Sequence, residues 1–250
     1  MNATNQRICA WAGPVAAVIW LIGLLFLARF IPPIPPSLGP AEVAARYANN
    51  TVGIRAGMVC VLVGGALYGA WTAVITVQLK RIEGRSSVMA YTQLALGAAF
   101  VLVFVVPVVF WQAAAFRPLD NIEITQRLND LAWMGFLIPV PVITVQGLAI
   151  TLAILSDKSS SPVFPRWVGW FNLWAQIIFL PGVLIPFFKH GVLAWNGLLA
   201  FWIPVAVFTA WMIVLSVMLF RAIKEEERQC QAAENRLLHP VSTTGPEQIR

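Results

Sequence analysis

The sequence predicts an all-α, polytopic membrane helix bundle with six transmembrane helices, two short extracytoplasmic helices and both termini cytoplasmic. Three observations predict it. Of 250 residues, 59% are apolar and only 11% are charged, whereas charge occupies about 25% of positions in a soluble domain. Every Asp, Glu, Lys and Arg falls outside six stretches: 8–28, 56–79, 86–116, 131–156, 167–188 and 190–220. The shortest, between Arg7 and Arg29, holds 21 residues, which at about 1.5 Å per residue crosses a hydrocarbon core of roughly 30 Å. The runs are apolar all round instead of alternating, which excludes a transmembrane β-barrel. In lipid the backbone must satisfy its own hydrogen bonds, so each run is a helix.

Orientation follows from the Lys and Arg of the connecting segments. With the N-terminus inside, eleven fall on the inner side, from Arg7, Lys80, Arg81 and Arg85 through Lys158 and Arg166 to the tail, and six on the outer side: Arg29, Arg46, Arg55, Arg117, Arg127 and Lys189. That excess places both termini in the cytoplasm. It also accounts for the net charge of +6, because a nucleic-acid surface would gather its basic residues on one face. No nucleic-acid partner is expected; membrane lipids are. Compact size and short loops place the chain, by analogy, as a multi-pass protein of a plasma membrane, the bacterial inner membrane.

The elements follow in chain order. The first run reads as a retained helix, since only Arg7 precedes it and no small-x-small cleavage site follows Leu27-Ala28-Arg29-Phe30. Pro32-Pro33-Ile34-Pro35-Pro36 is a stiff polyproline-type rod. Gly39-Pro40-Ala41-Glu42 opens a short outer helix, with Pro at its first position and Glu in its first turn. A second outer helix is expected after the third span, where Asp120 and Glu123 have capping spacing and Ile124, Leu128 and Leu131 form a stripe. Glu42 and Arg46, like Glu123 and Arg127, are four residues apart, and Val74-Ile75-Thr76-Val77-Gln78 recurs at 142–146. Together these raise a duplicated helical unit as an expectation. The chain divides into a six-helix domain over 1–222 and a charged, partly disordered cytoplasmic tail over 223–250, whose end from Pro240 to Arg250 is rich in Thr, Gly and Pro.

Chemistry is constrained by scarcity. The chain has two histidines, His190 at the outer edge and His239 in the tail, too few for bis-histidine haem, a histidine-box di-iron centre or HExxH zinc. No metal site and no cofactor is expected. No ionisable residue lies at membrane depth, which disfavours proton-coupled transport. What the interior offers is amides and hydroxyls. Gln112, Gln146 and Gln176 are candidate holders of a ligand's polar end, or else interhelical glue.

Prolines give the most specific signal. Pro107, Pro139, Pro141, Pro181, Pro186 and Pro204 fall in the outer halves of the third to sixth helices, where each removes a backbone hydrogen bond and bends or widens its helix. Phe104, Phe136 and Phe179 share that layer. The expectation is an outward-facing, aromatic-lined cavity for a small apolar or amphipathic molecule. Trp111, Trp133 and Trp195 read as an outer interfacial belt, Trp11, Trp167 and Trp170 as an inner one, and Trp20, Trp71, Trp202 and Trp211 as packing residues.

Three function classes fit. The first is binding or passage of a small neutral molecule through that cavity. The second is a non-catalytic accessory subunit of a membrane complex, with a fixed protein partner. The third, the least favoured, is an enzyme acting at the outer face, where Glu42, Arg46, Glu123, Arg127 and Asp130 would converge if the short helices cap the bundle.

Overall fold

A computed structural model describes residues 2–238; His239 and the segment from Pro240 to Arg250 expected to be disordered lie outside them. The described residues form helices and no strand. Six spans are long and apolar enough to cross a membrane: Ala3–Leu27, Thr51–Glu83, Val88–Phe116, Ile122–Ser156, Arg166–Phe187 and Leu198–Asn235, with mean hydropathies from 1.6 to 2.6.

Several spans are composite. The first is helix α1 (Ala3–Leu21) followed by a π-helical turn, Ile22–Leu27. The short helix α2 (Pro40–Asn49) comes next, and its Glu42 carboxylate accepts the Gly39 N–H at 3.0 Å. The second span is one unbroken helix, α3 (Thr51–Glu83). The third is α4 (Val88–Phe100) with α5 (Leu102–Phe116), and the fourth is α6 (Ile122–Leu137) with α7 (Val140–Ser156). The fifth is α8 (Arg166–Phe179) continued by 3₁₀ turns over Leu180–Phe187. The sixth starts with a π-helical turn, Leu198–Trp202, and continues as α9 (Ile203–Leu238), straight through the expected boundary at 222.

Two expectations about these elements need correcting. The amphipathic segment after the third span does not end near Leu131, where the fourth span was expected to begin, but runs without interruption from Ile122 to Leu137 and breaks only before Pro139. Its cap is Asn121, whose side chain accepts the N–H groups of Glu123 and Ile124 at 3.1 Å each, and not Asp120. Trp111, Trp133 and Trp195 are at most 3% exposed and belong to the core, whereas Trp202 is 41% exposed. A helix that is apolar all round gives no sequence signal for which face meets lipid.

The bundle closes in a ring, since α1 packs on α3, α3 on α4, α4 on α7, α7 on α8, α8 on α9 and α9 back on α1. Small residues set the tightest crossing. A Cβ on Gly23 would sit 2.7 Å from the carbonyl oxygen of Gly57, so only glycine lets the first and second spans meet there. At the end carrying the N-terminus a polar cluster ties three helices. Buried Gln78 donates to Gln6 Oε1 at 2.6 Å and to Glu226 Oε2 at 3.0 Å, and its Oε1 accepts from Arg81 at 2.6 Å. Arg7 and Glu227 form an ion pair beside it.

Candidate functional site

Four spans lose regular helix geometry, three of them beside proline, and all four contribute residues to one place. In the third span the helix breaks at Val101, and Pro107 brings no N–H to the carbonyl four residues earlier. In the fourth, α6 stops at Leu137 and Pro139 caps α7. In the fifth, Pro181 and Pro186 fall in the 3₁₀ turns that replace α-helix, and in the sixth Pro204 follows the π-helical turn. A helix interrupted this way cannot pack its side chains flush with its neighbours.

A cavity of about 120 Å³ occupies that place. Phe104 comes from the third span, Phe136 and Pro139 from the fourth, Phe179 and Gly182 from the fifth, and Phe201 and Pro204 from the sixth. All fifteen lining residues are apolar. Phe104, Phe179 and Phe201 are buried, while Val205 on the rim is 36% exposed on the outer surface of the bundle.

The wall is braced by more aromatic rings. Trp20 stacks on Phe104 with centroids 4.3 Å apart. Trp111 lies 5.5 Å from Phe136 and 5.1 Å from Trp133, and Trp133 lies 6.1 Å from Phe201. Such offset and edge-on pairs each add about 0.5–1.5 kcal/mol beyond area burial.

Of the residues expected to hold a ligand, the structure brings Phe104, Phe136 and Phe179 to this one cavity and leaves the three glutamines off its lining. Gln112 donates to the Arg55 carbonyl at 2.9 Å, tying α5 to α3. Gln146 accepts the Tyr68 hydroxyl at 3.0 Å, and Gln176 donates to the Asn172 carbonyl at 3.2 Å. Both amides lie over glycines. A Cβ on Gly97 would come within 2.8 Å of Gln146 Nε2, and one on Gly147 would overlap the Gln176 amide.

The five charged residues expected at the other candidate site lie on α2 and α6, which pack together, and the charges of Lys189 and Arg127 act on Asp130. Glu42, Arg46, Glu123 and Arg127 are exposed and make no ion pair among the described residues, and Asp130 accepts from its neighbour Asn129 at 3.2 Å. What joins α2 to α6 is a buried hydrogen bond, Tyr47 hydroxyl to Asn129 Oδ1 at 3.1 Å. Burial, with the Asp130 charge adding to it, raises the Tyr47 hydroxyl well above its ordinary pKa.

Gly182, Ala200 and Phe208 also line the cavity and went unnoticed in the sequence. Position relative to Pro181 and Pro204 is the signal that would have found them. Among the described residues, no group of three or more His, Cys, Asp or Glu is placed to hold a metal ion.

Six membrane-length apolar helices point to a multi-pass membrane protein, here one whose broken helices leave an apolar cavity. Comparison with known families, curated proteins and solved structures finds no match to this chain.

Proposed function

We propose that this protein binds, or passes, a small neutral apolar or amphipathic molecule at the aromatic cavity. One observation carries the reading: the fourth, fifth and sixth spans lose regular helix beside proline, the third breaks at Val101 with Pro107 further along, and residues of all four share one wholly apolar cavity. The volume limits the ligand. An engineered apolar cavity of roughly 150 Å³ stays dry and takes benzene, while drug-sized molecules occupy about 300–1,000 Å³. At about 120 Å³ the cavity accepts one ring or a short branched hydrocarbon end. The rest of a longer molecule leaves past Val205 toward the lipid. The positive-charge count favours this end of the bundle outward and both termini inward, and compact size with short loops suits, by analogy, a plasma membrane of the bacterial inner-membrane type.

The test is fluorine NMR of fluorobenzene with the purified protein in detergent. A protein-dependent bound resonance is expected, and Ala200→Leu, which fills the cavity from a buried lining position, abolishes it. Absence of the resonance in the wild type, or its persistence in Ala200→Leu, overturns the proposal.

A further inference from the structure

A second cavity lies at the opposite end of the bundle, where the loop between α7 and α8 faces the start of the charged part of α9. Its volume is about 440 Å³, and four cations line it: Arg81, Arg221, Lys224 and Arg228. The nearby carboxylates are already engaged. Glu225, which also lines the cavity, pairs with Arg228 at 3.6 Å, Glu226 with Arg81 at 3.7 Å, and Glu227 with Arg7. Arg221 and Lys224 are exposed and make no ion pair among the described residues.

Two further features point the same way. Pro165 lines the cavity and is the N-cap of the 14-residue helix α8, which has no side-chain cap and no acidic residue in its first turn. A helix N-terminus carries roughly half a positive charge, a setting that favours an anion. Met218 and Ala222 supply an apolar wall on the bundle side, so the cations stand over hydrocarbon.

We infer that this cleft binds a phosphate-bearing anion, with Arg221 and Lys224 as its principal contacts. A basic pocket between membrane helices at their polar edge is suited to an anionic lipid headgroup, and a free phosphate compound shares that chemistry. The inference does not depend on the aromatic cavity, with which this cleft shares no residue.

Native mass spectrometry of the full-length protein in neutral detergent tests it, with phosphatidic acid, phosphatidylcholine and inorganic phosphate as separate probes. Phosphatidic acid is retained, and phosphatidylcholine is not. A basic side chain near an anionic group contributes about a fivefold factor in binding, so Arg221→Gln with Lys224→Gln weakens retention roughly thirtyfold and Lys224→Gln alone about fivefold. Arg117→Gln with Lys189→Gln, at the other end, leaves it unchanged. Competition by inorganic phosphate at millimolar levels, lost in the double variant, extends the site to soluble phosphate compounds; without such competition the ligand is the lipid. Equal retention of phosphatidic acid by the wild type and by Lys224→Gln with an unaltered unfolding midpoint overturns the inference, as does equal retention of phosphatidylcholine.

Discussion

Trp20 lies flat on Phe104, with ring centroids 4.3 Å apart and planes inclined by 16°. Phe104 is a wall of the apolar cavity, so the first span holds that wall although none of its residues lines the cavity. The indole is positioned by its own N–H, which donates to the Val61 carbonyl at 3.2 Å, and by Gly64, where any Cβ would overlap the ring.

Gly64→Val therefore pushes Trp20 off its seat and Phe104 with it. Overpacking of this kind costs about 1–3 kcal/mol. The expected outcome is a lower thermal unfolding midpoint together with loss of the bound fluorobenzene resonance. A lower midpoint with the resonance intact would show that Trp20 stabilises the bundle without shaping the cavity.

Tyr47 gives a pH dependence with a definite sign. In the folded protein its hydroxyl stays protonated well above the ordinary value of 10.0, through burial first and the Asp130 charge second. The unfolded chain releases that proton near pH 10, so folding stability from this group is complete below pH 10 and falls as pH rises above it. Tyr47→Phe removes the group and the alkaline loss with it. It also removes a hydrogen bond to Asn129 worth about 1 kcal/mol. Hydrogen exchange of the α2 amides, followed from pH 8 to 11, measures both effects.

Asp157 shapes the loop that borders the basic cleft. Its two carboxylate oxygens accept the N–H groups of Ser159 and Val163, each at 3.0 Å. Partial burial pushes its pKa up, but the hydrogen bonds from Ser159 and Val163 outweigh it and hold the pKa below the usual carboxylate range. Stability from this group is thus present above about pH 4 and lost as pH falls through the lowered value. Asp157→Ala is expected to abolish that acid-side loss and to make the bonds between 157 and 165 more susceptible to protease at neutral pH. Unchanged cleavage would mean that the prolines, not Asp157, fix the loop.

The six spans were legible because lipid excludes charge so strongly that the gaps between Arg7 and Arg29, or Arg55 and Lys80, mark them directly. Helix α2 was legible from Pro40 and Glu42, which start a helix by local chemistry. The aromatic layer was legible through proline, whose effect on its own helix needs no tertiary information. Facing was not legible. Trp111 and Trp133 sit near a span's edge in sequence, as lipid-belt residues do, yet both are buried against Phe30 with centroids 5.5 and 5.8 Å away. The glutamines share the difficulty, since depth places Gln146 near mid-membrane but only packing turns it to Tyr68 and away from the cavity. The two copies of the pentapeptide also differ in surroundings that sequence does not show: Gln78 joins the charged cluster at the helix end, whereas its counterpart Gln146 joins a hydroxyl inside the bundle. The basic cleft was hidden because Arg221 and Lys224 are fully explained by the positive-charge bias expected at the end of a span until α8 is seen to begin beside them.

Asn172 is where three helices depend on one amide. Its Nδ2 donates to the Thr151 hydroxyl at 2.7 Å and to the Gly147 carbonyl, both on α7, while its Oδ1 accepts the Trp211 N–H from α9. Water does not reach this position, which is fully buried. Interhelical hydrogen bonds inside membrane bundles average about 0.6 kcal/mol and reach about 1.7. Asn172→Leu removes three and strands the Trp211 donor, so a loss of about 2 kcal/mol is expected. Trp211→Phe removes that donor and one of the bonds. If the pair acts as a unit, the double variant is less destabilised than the two single losses combined, by about 0.6–1.7 kcal/mol. Reversible unfolding in mixed micelles of all four proteins measures the coupling. A coupling of zero would assign Asn172 to packing within α7 and α8 alone, and leave α9 held by its apolar face.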